Sequence, residues 1–444
     1  MDAELKREIL KHIANITFNV QPFDEVRQPG RSRSIFVTKE RGTEVKVILA
    51  GEYYEEYDDL LKLLLEKAKW NEKVSQQYLD SRLKNLIATI REDNRAKEVQ
   101  DLAPYLNQLI VDLDSFETQT AYIPVLGIKT DIHAFPVGNF TLKRYTRGLA
   151  NELVEKCRKS CSLEDSEPSQ ESKIKSFRKS LNRFKNTIVA ERRFDYPIEA
   201  GRALEIAEEE LRRVIDLFRY VIAWIYPDRP IEKRPLIGLQ GEIRLDARLT
   251  FTFSNASVHT NEKAMGLVHP FYLSTFDLYD FDDLERSGFF LMSDVLSKPP
   301  EKLTPYQEVL IRGLRLFSDS QTQFERENEY LGMFNCIENF VAPGERLRDN
   351  ISKTIAFLVA NVPDEREQKR IEFQKKYDTR SKITHGSRHV VILDDDLKAL
   401  RRAALDVIGW MIHQDEKFVK PKELRRRLKK ERLKIWSDDC VCEK

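Results

Sequence analysis

The chain lacks any charge imbalance that would announce a polyanionic partner: 74 Lys and Arg stand against 73 Asp and Glu in 444 residues. A field drawing the whole molecule to nucleic acid or to a membrane surface is excluded, and any basic surface must be local. Long apolar runs are missing as well. No window approaches the roughly eighteen uninterrupted apolar residues of a membrane span. The opening MDAELKREILKHIANI alternates charged and apolar residues where a secretory segment would carry an apolar core. These absences predict a soluble, unsecreted, cytoplasmic protein with no membrane partner. Cysteine is scarce: Cys157 and Cys161 lie four apart, Cys336 stands alone, and Cys440 and Cys442 sit in the tail. Five scattered cysteines supply neither a disulfide framework nor the paired clusters of a structural zinc site, so reduced thiols and no metal are expected. There is no phosphate-binding loop and no paired Gly-rich nucleotide signature, and hence no cofactor is expected.

What is present is enough apolar sequence for two or three domains. After a first amphipathic helix, IFVTKERGTEVKVILA (35–50) alternates apolar and polar residues on both sides of a Glu-Arg-Gly turn, which predicts a β-hairpin. EEYDDLLKLLLEKAKW (55–70) then predicts a helix with an acidic first turn and basic later turns, and more helix follows to about 113. From Thr118 the pattern becomes short alternations punctuated by Gly and Pro, read as antiparallel strands. A helix over 148–160, a flexible polar loop SLEDSEPSQES (162–172), a strand in NTIVAERRFDYP and a long helix over 200–226 come next. RLTFTFSNASV (248–258) and LVHPFYL (267–273) return to strand character.

From Pro305 strand signals almost vanish. Segments 305–319, 324–341, 345–360, 365–385 and 397–413 carry apolar residues at helical spacing, which predicts an antiparallel bundle, with Asp394, Asp395 and Asp396 capping the last helix and complementing its dipole. KFVKPKELRRRLKKERLKIW (417–436) reads as a basic amphipathic helix with Leu424, Leu428 and Ile435 as its seam. It either offers Arg425, Arg426, Arg427, Lys429 and Lys430 to RNA phosphates or packs on the bundle as a solvated helix. The expected fold class is α+β, with regions 1–115 (hairpin plus helices), 116–300 (mixed α and β), 301–415 (helical bundle) and 416–444 (basic tail).

YDTRSKITHG (377–386) sets Arg380 five residues before His385. Spacing alone is weak, since roughly two chance cases of an Arg shortly before a His are expected in such a chain. Arg7 and His12 are another instance. Helical geometry adds more: Phe373, Tyr377, Arg380 and Thr384 fall within a sector of roughly 60°, so the arginine sits on the stripe that faces a partner helix. A guanidinium there must meet an acid, line a wet cleft or face another subunit. His385 lies roughly 140° around the axis, with Gly386 placed to end the helix. Histidine titrates near neutrality and suits proton transfer to and from ribose oxygens, while arginine holds phosphate, so the pair suits metal-free cleavage of RNA through the 2′-hydroxyl.

This stretch resembles the signature of the HEPN superfamily, in its Apea-like form Tyr-x-x-Arg-Ser-x-x-x-His-Gly. YLGMFNCIENF (330–340) and GERLRDNISKTIAFLVA (344–360) fit the same branch, so the resemblance covers roughly 305–415. It implies a helical domain that homodimerises, brings two Arg/His pairs into one cleft and acts as an endoribonuclease without metal, in architectures resembling toxins and anti-phage defence effectors. The large region before the bundle would then answer a phage-derived or host trigger. Arg380, Ser381 and His385 take the motif positions, and Lys382 is an expected RNA contact. Glu338 is expected either to partner Arg380 or to be an exposed helix glutamate, and Tyr377 either to wall the site or to belong to the core. His389 reads as a cleft or loop residue, and His133, His259 and His269 as structural. Two alternatives stay open: a dimer that binds nucleic acid or nucleotide without cutting, and a structural domain in which Arg380 closes a buried pair with Glu338.

Overall fold

The computed structural model describes residues 2–19, 21–22, 32–38, 44–92, 97–161, 167–184, 187–229, 235–239, 248–254, 258–263, 276–278, 281–323, 325–341, 347–386 and 390–432. The layout is α+β, antiparallel strands in the first part and all helix in the last.

The first unit comprises α1 (Ala3–Asn19), a small sheet of β1 (Gln21–Pro22), β2 (Ser32–Thr38) and β3 (Glu44–Ala50) in the order β1-β3-β2, and α2 (Gly51–Lys62), α3 (Gln76–Glu92) and α4 (Ala103–Asp114). β2 and β3 form the expected hairpin, while its Glu-Arg-Gly turn lies outside the described residues. The helix expected over 55–70 starts earlier and ends in a π-helical turn at Leu63–Lys67. Ile9, Ile13 and Ile16 recur at helical spacing on α1 and close this unit's own core against Leu60, Leu64 and Leu83.

The second region is built on a sheet of β4 (Thr118–Leu126), β6 (Ala134–Val137), β7 (Phe140–Arg144), β8 (Ile188–Pro197), β10 (Arg248–Phe253) and β11 (Val258–Lys263), ordered β11-β10-β4-β8-β7-β6. A short strand, β9 (Gly238–Leu239), also pairs with β4, while β5 (Ile128–Lys129) and β12 (Phe276–Asp277) form a separate parallel pair. Period-2 alternation sorts β4 between two layers. Ala121, Ile123 and Val125 face the core of α7 (Ala200–Ile225), whereas Tyr122 joins a second core with α5 (Arg147–Cys161) and α6 (Glu167–Leu181). The loop expected over 162–172 is therefore corrected from Glu167 onward. Phe177 and Leu181 bury against Leu153 and Val154 of α5, and that packing outweighs the polar composition of the helix's first turns. The strand expected at 267–273 lies outside the described residues.

After α8 (Phe281–Arg286) and α9 (Phe289–Ser297) come the bundle helices α10 (Pro305–Ser320), α11 (Arg326–Val341), α12 (Leu347–Val359), α13 (Pro363–Thr384) and α14 (Asp394–Ile412), then α15 (Pro421–Arg432). Gly313 lets α10 and α11 close together, because a Cβ there would stand 2.1 Å from the Phe340 ring. One core runs from Ala121 through Leu428, so α7 and the bundle pack as a continuous body. The three aspartates of α14 fill its first turn, but none caps it: the residue at the N-cap is Leu393, with no side-chain bond. They complement the dipole and pair with Arg326, Lys376 and Lys398 instead. Among the described residues no helix is long and apolar enough to cross a membrane.

Candidate functional site

Tyr330, Phe334 and Glu338 stand four apart on α11 and form one stripe. On α13 they meet, in the same order, the carbonyl of Lys376, the ring of Tyr377 and the guanidinium of Arg380. The two helices thus run in the same sense, with α12 returning between them. Tyr330 donates to the Lys376 carbonyl at 2.8 Å, and Phe334 meets Tyr377 edge to face with centroids 5.8 Å apart. This hydrogen bond and this ring contact fix the register that brings Glu338 to Arg380.

Arg380 donates from Nη2 to Oε2 of Glu338 at 3.1 Å, and the two side chains are 21% and 20% exposed. The guanidinium also lies 5.6 Å from the Tyr377 ring centroid. Nε of Arg380 and Oε1 of Glu338 are both shielded, and neither has a hydrogen-bond partner. One donor and one acceptor are thus unused at the centre of the site, where an unsatisfied polar group is costly. Burial pushes the Glu338 carboxyl above its usual range, against the lowering pull of Arg380. Burial likewise raises the Tyr377 phenol.

His385 occupies the C-cap of α13, its amide donating to the Ser381 carbonyl at 3.0 Å. Gly386 follows at φ +69°, the left-handed conformation that favours glycine, and closes the helix through the Ile383 carbonyl. The His385 imidazole is exposed and makes no side-chain hydrogen bond or ion pair among the described residues. Five residues of helix separate it from Arg380 by about 7.5 Å of rise and about 140° of rotation. Thr384, placed on the inward stripe by its spacing, is exposed, while its neighbour Ile383 still packs on the core; its hydroxyl donates to the Arg380 carbonyl.

Ser381 is half-buried and Lys382 exposed. Asp378, one turn before them, is held below the usual carboxylate range by a two-point bond to Arg348 of α12, at 2.6 and 2.7 Å. Sequence reasoning gave no role to this exposed clamp between α12 and α13. The signal was available in principle, since Arg348 begins the helix that precedes the motif. Lys376 is a second unanticipated participant: it is buried and pairs with Asp396 at the start of α14.

On α15, Leu424 and Leu428 are buried against the bundle while Arg426, Arg427, Lys429 and Lys430 are exposed, so the helix both packs and presents a basic face. The side chain of Arg425, together with Ile435, His269 and His389, lies outside the described residues. His133 is exposed. His259 pairs in the sheet opposite Thr252, and nothing is described of its side chain. Among the described residues no three His, Cys, Asp or Glu side chains gather in a way that holds a metal ion. Compared with known proteins, the chain matches no family model, no curated protein and no solved structure.

Proposed function

We propose that this protein is a metal-independent endoribonuclease of HEPN type, acting as a homodimer in which Arg380 and His385 of two copies share one cleft. The observation that carries the reading is the division of labour at the end of α13. A half-buried arginine is steered by an acid and an aromatic ring, and an unengaged imidazole stands at an exposed helix end on a different side of the same helix.

In this reading Arg380 holds a bridging phosphate and offsets the charge that builds on it during attack. One His385 accepts the proton of the ribose 2′-hydroxyl as that oxygen bonds to phosphorus. The His385 of the second copy gives a proton to the departing 5′-oxygen, leaving a 2′,3′-cyclic phosphate and a 5′-hydroxyl. Ser381 and Lys382 border the phosphate, and the basic face of α15 supplies sequence-independent affinity. Val391, 76% exposed, and Leu393 place apolar side chains on the surface shortly after His385, which favours a second copy as their cover. A role as a toxin or anti-phage effector, with residues 1–300 restraining the bundle until a trigger arrives, follows from the same resemblance.

One observation favours a second reading. The Arg380–Glu338 contact alone accounts for part of the arginine's placement, as expected of a structural pair in a bundle that binds RNA without cutting it. A single experiment separates the two. Wild-type protein in EDTA is expected to cleave RNA to products ending in 2′,3′-cyclic phosphate and to sediment as a dimer. Dimeric protein that binds RNA and leaves it intact under all conditions supports the second reading.

A further inference from the structure

A cleft of about 560 Å³ opens on the opposite side of α10 from the candidate site, between α10 and α7, with the turn at 300–303 at its edge. Its size lies within the range of small-ligand sites. α7 contributes Glu209, Arg212, Arg213, Asp216 and Arg219, which recur at three- and four-residue spacing and so share one face. α10 answers with Glu308, Arg312, Arg315 and Asp319. Five guanidinium groups thus meet four carboxylates around one space, with Ile215, Ile311 and Leu303 as apolar wall.

The arginines differ in how far they are already engaged. Arg213 pairs with Glu209 at 2.7 Å, and Arg219 is tied to the Ile237 carbonyl and to the Ser318 hydroxyl. Arg312 and Arg315 are exposed and make no hydrogen bond or ion pair among the described residues, although Glu308 and Asp319 stand one turn away on the same helix. Among the described residues, two cations therefore face a concave surface with no hydrogen-bonded or ion-paired anion, Arg315 feeling only the through-space attraction of Asp216. Asp216 lies deeper, beside Ser318 and Arg219, and burial pushes its pKa up to about 6.

We propose that this cleft binds a small phosphorylated ligand, its phosphate oxygens taken by Arg312 and Arg315 and its apolar body lying on Ile215, Ile311 and Leu303. Guanidinium forks match phosphate oxygens two at a time, which suits a ligand carrying two or more negative charges. α7 belongs to the sheet layer and α10 packs on α11, the helix that bears Glu338, so an occupant bridges the two. The proposal does not depend on whether the bundle cuts RNA.

Inorganic pyrophosphate, titrated calorimetrically into the full chain at physiological salt, tests the anion-binding part. Binding is expected, and the paired change Arg312→Ala with Arg315→Ala is expected to weaken it about tenfold or more. Asp216→Asn removes a negative charge from the floor and is expected to tighten binding severalfold, a gain that damage to the fold would not produce. Arg426→Ala with Arg427→Ala, on α15, is expected to leave pyrophosphate binding unchanged. The proposal is overturned if wild-type protein shows no binding, or if the α10 pair can be removed without loss. It is also overturned if the α15 pair proves to be the determinant. Loss of single-stranded RNA affinity in the α10 variant, with pyrophosphate unbound by wild type, would make the cleft part of a nucleic-acid surface instead.

Discussion

Arg7 on α1 and Arg380 on α13 each precede a histidine by five residues, and the two pairs are wired in opposite ways. On α1 it is the histidine that is held: His12 lies 2.8 Å from Glu56 of α2, while Arg7 is exposed and makes no hydrogen bond or ion pair among the described residues. On α13 the arginine is held by Glu338, and the histidine stands free at the helix end. The surrounding acids differ in the same sense. Glu56 is kept below its usual range, chiefly by the hydrogen bond from Asn15 and then by His12, whereas burial lifts Glu338 above it. Identical spacing therefore produces a held histidine beside an exposed arginine in one place and, in the other, a half-buried arginine held by an acid beside an unengaged histidine.

The largest effect expected from this contrast is on catalysis. Arg380→Ala and His385→Ala are each expected to lower RNA cleavage by about a thousandfold, the scale of losing a proton-transfer group or a charge-stabilising donor. Arg7→Ala and His12→Ala are expected to cleave as wild type does. Initial rates on a fluorescent RNA, with dimer content checked by sedimentation, read out all four. Equal losses from His12→Ala and His385→Ala would erase the distinction, and the functional reading would fall with it.

A smaller effect separates the packing beneath the two pairs. Phe334 is fully buried between Tyr330 and Tyr377, and it sets the register that delivers Glu338 to Arg380. Phe334→Ala is expected to cost about 3 kcal/mol in urea unfolding, as large-to-small core changes do. Phe18, near the end of α1, is 43% exposed, and Phe18→Ala is expected to stay within about 0.5 kcal/mol. If Phe334→Ala were equally mild, α11 and α13 would not be held by this stripe, and the placement of Arg380 would need another cause.

Helical periodicity made the bundle legible. α7 and α13 follow ranges readable from their apolar spacing, and the strands from Thr118 follow period-2 alternation. α6 was hidden because its three inward residues, Ile174, Phe177 and Leu181, are diluted by polar neighbours, and only the layer supplied by α5 makes a helix there worthwhile. At the site, the sequence carried Arg380 and His385 and left Glu338 as one of two alternatives. The deciding contact joins residues 42 apart, and the phase of one helix says nothing of which face of another it meets. The α7–α10 cleft was out of reach for the same reason. Each helix alone reads as a solvated charged face, and concavity appears only when the two are packed.

The subtlest consequence of the contrast is opposite pH dependence of stability. For Glu338 the folded-state pKa is raised, so the native protein holds that proton more firmly than the unfolded chain does. Its stabilising contribution is fully present below the ordinary value of 4.5 and is lost as pH rises through the raised folded value. For Glu56 the folded pKa is lowered, so its contribution is present above 4.5 and is lost as pH falls through the lowered value. Glu338→Gln should therefore remove a gain that wild type shows on mild acidification from neutrality. Glu56→Gln should remove a loss that appears only in stronger acid, and for so shallow a pair the whole effect should stay below about 1 kcal/mol. Urea midpoints of both variants, subtracted from wild type across the acid range, are expected to slope in opposite directions. Parallel slopes would mean that Glu338 is as well solvated as Glu56. The buried, incompletely satisfied character that distinguishes Arg380 from Arg7 would then be lost.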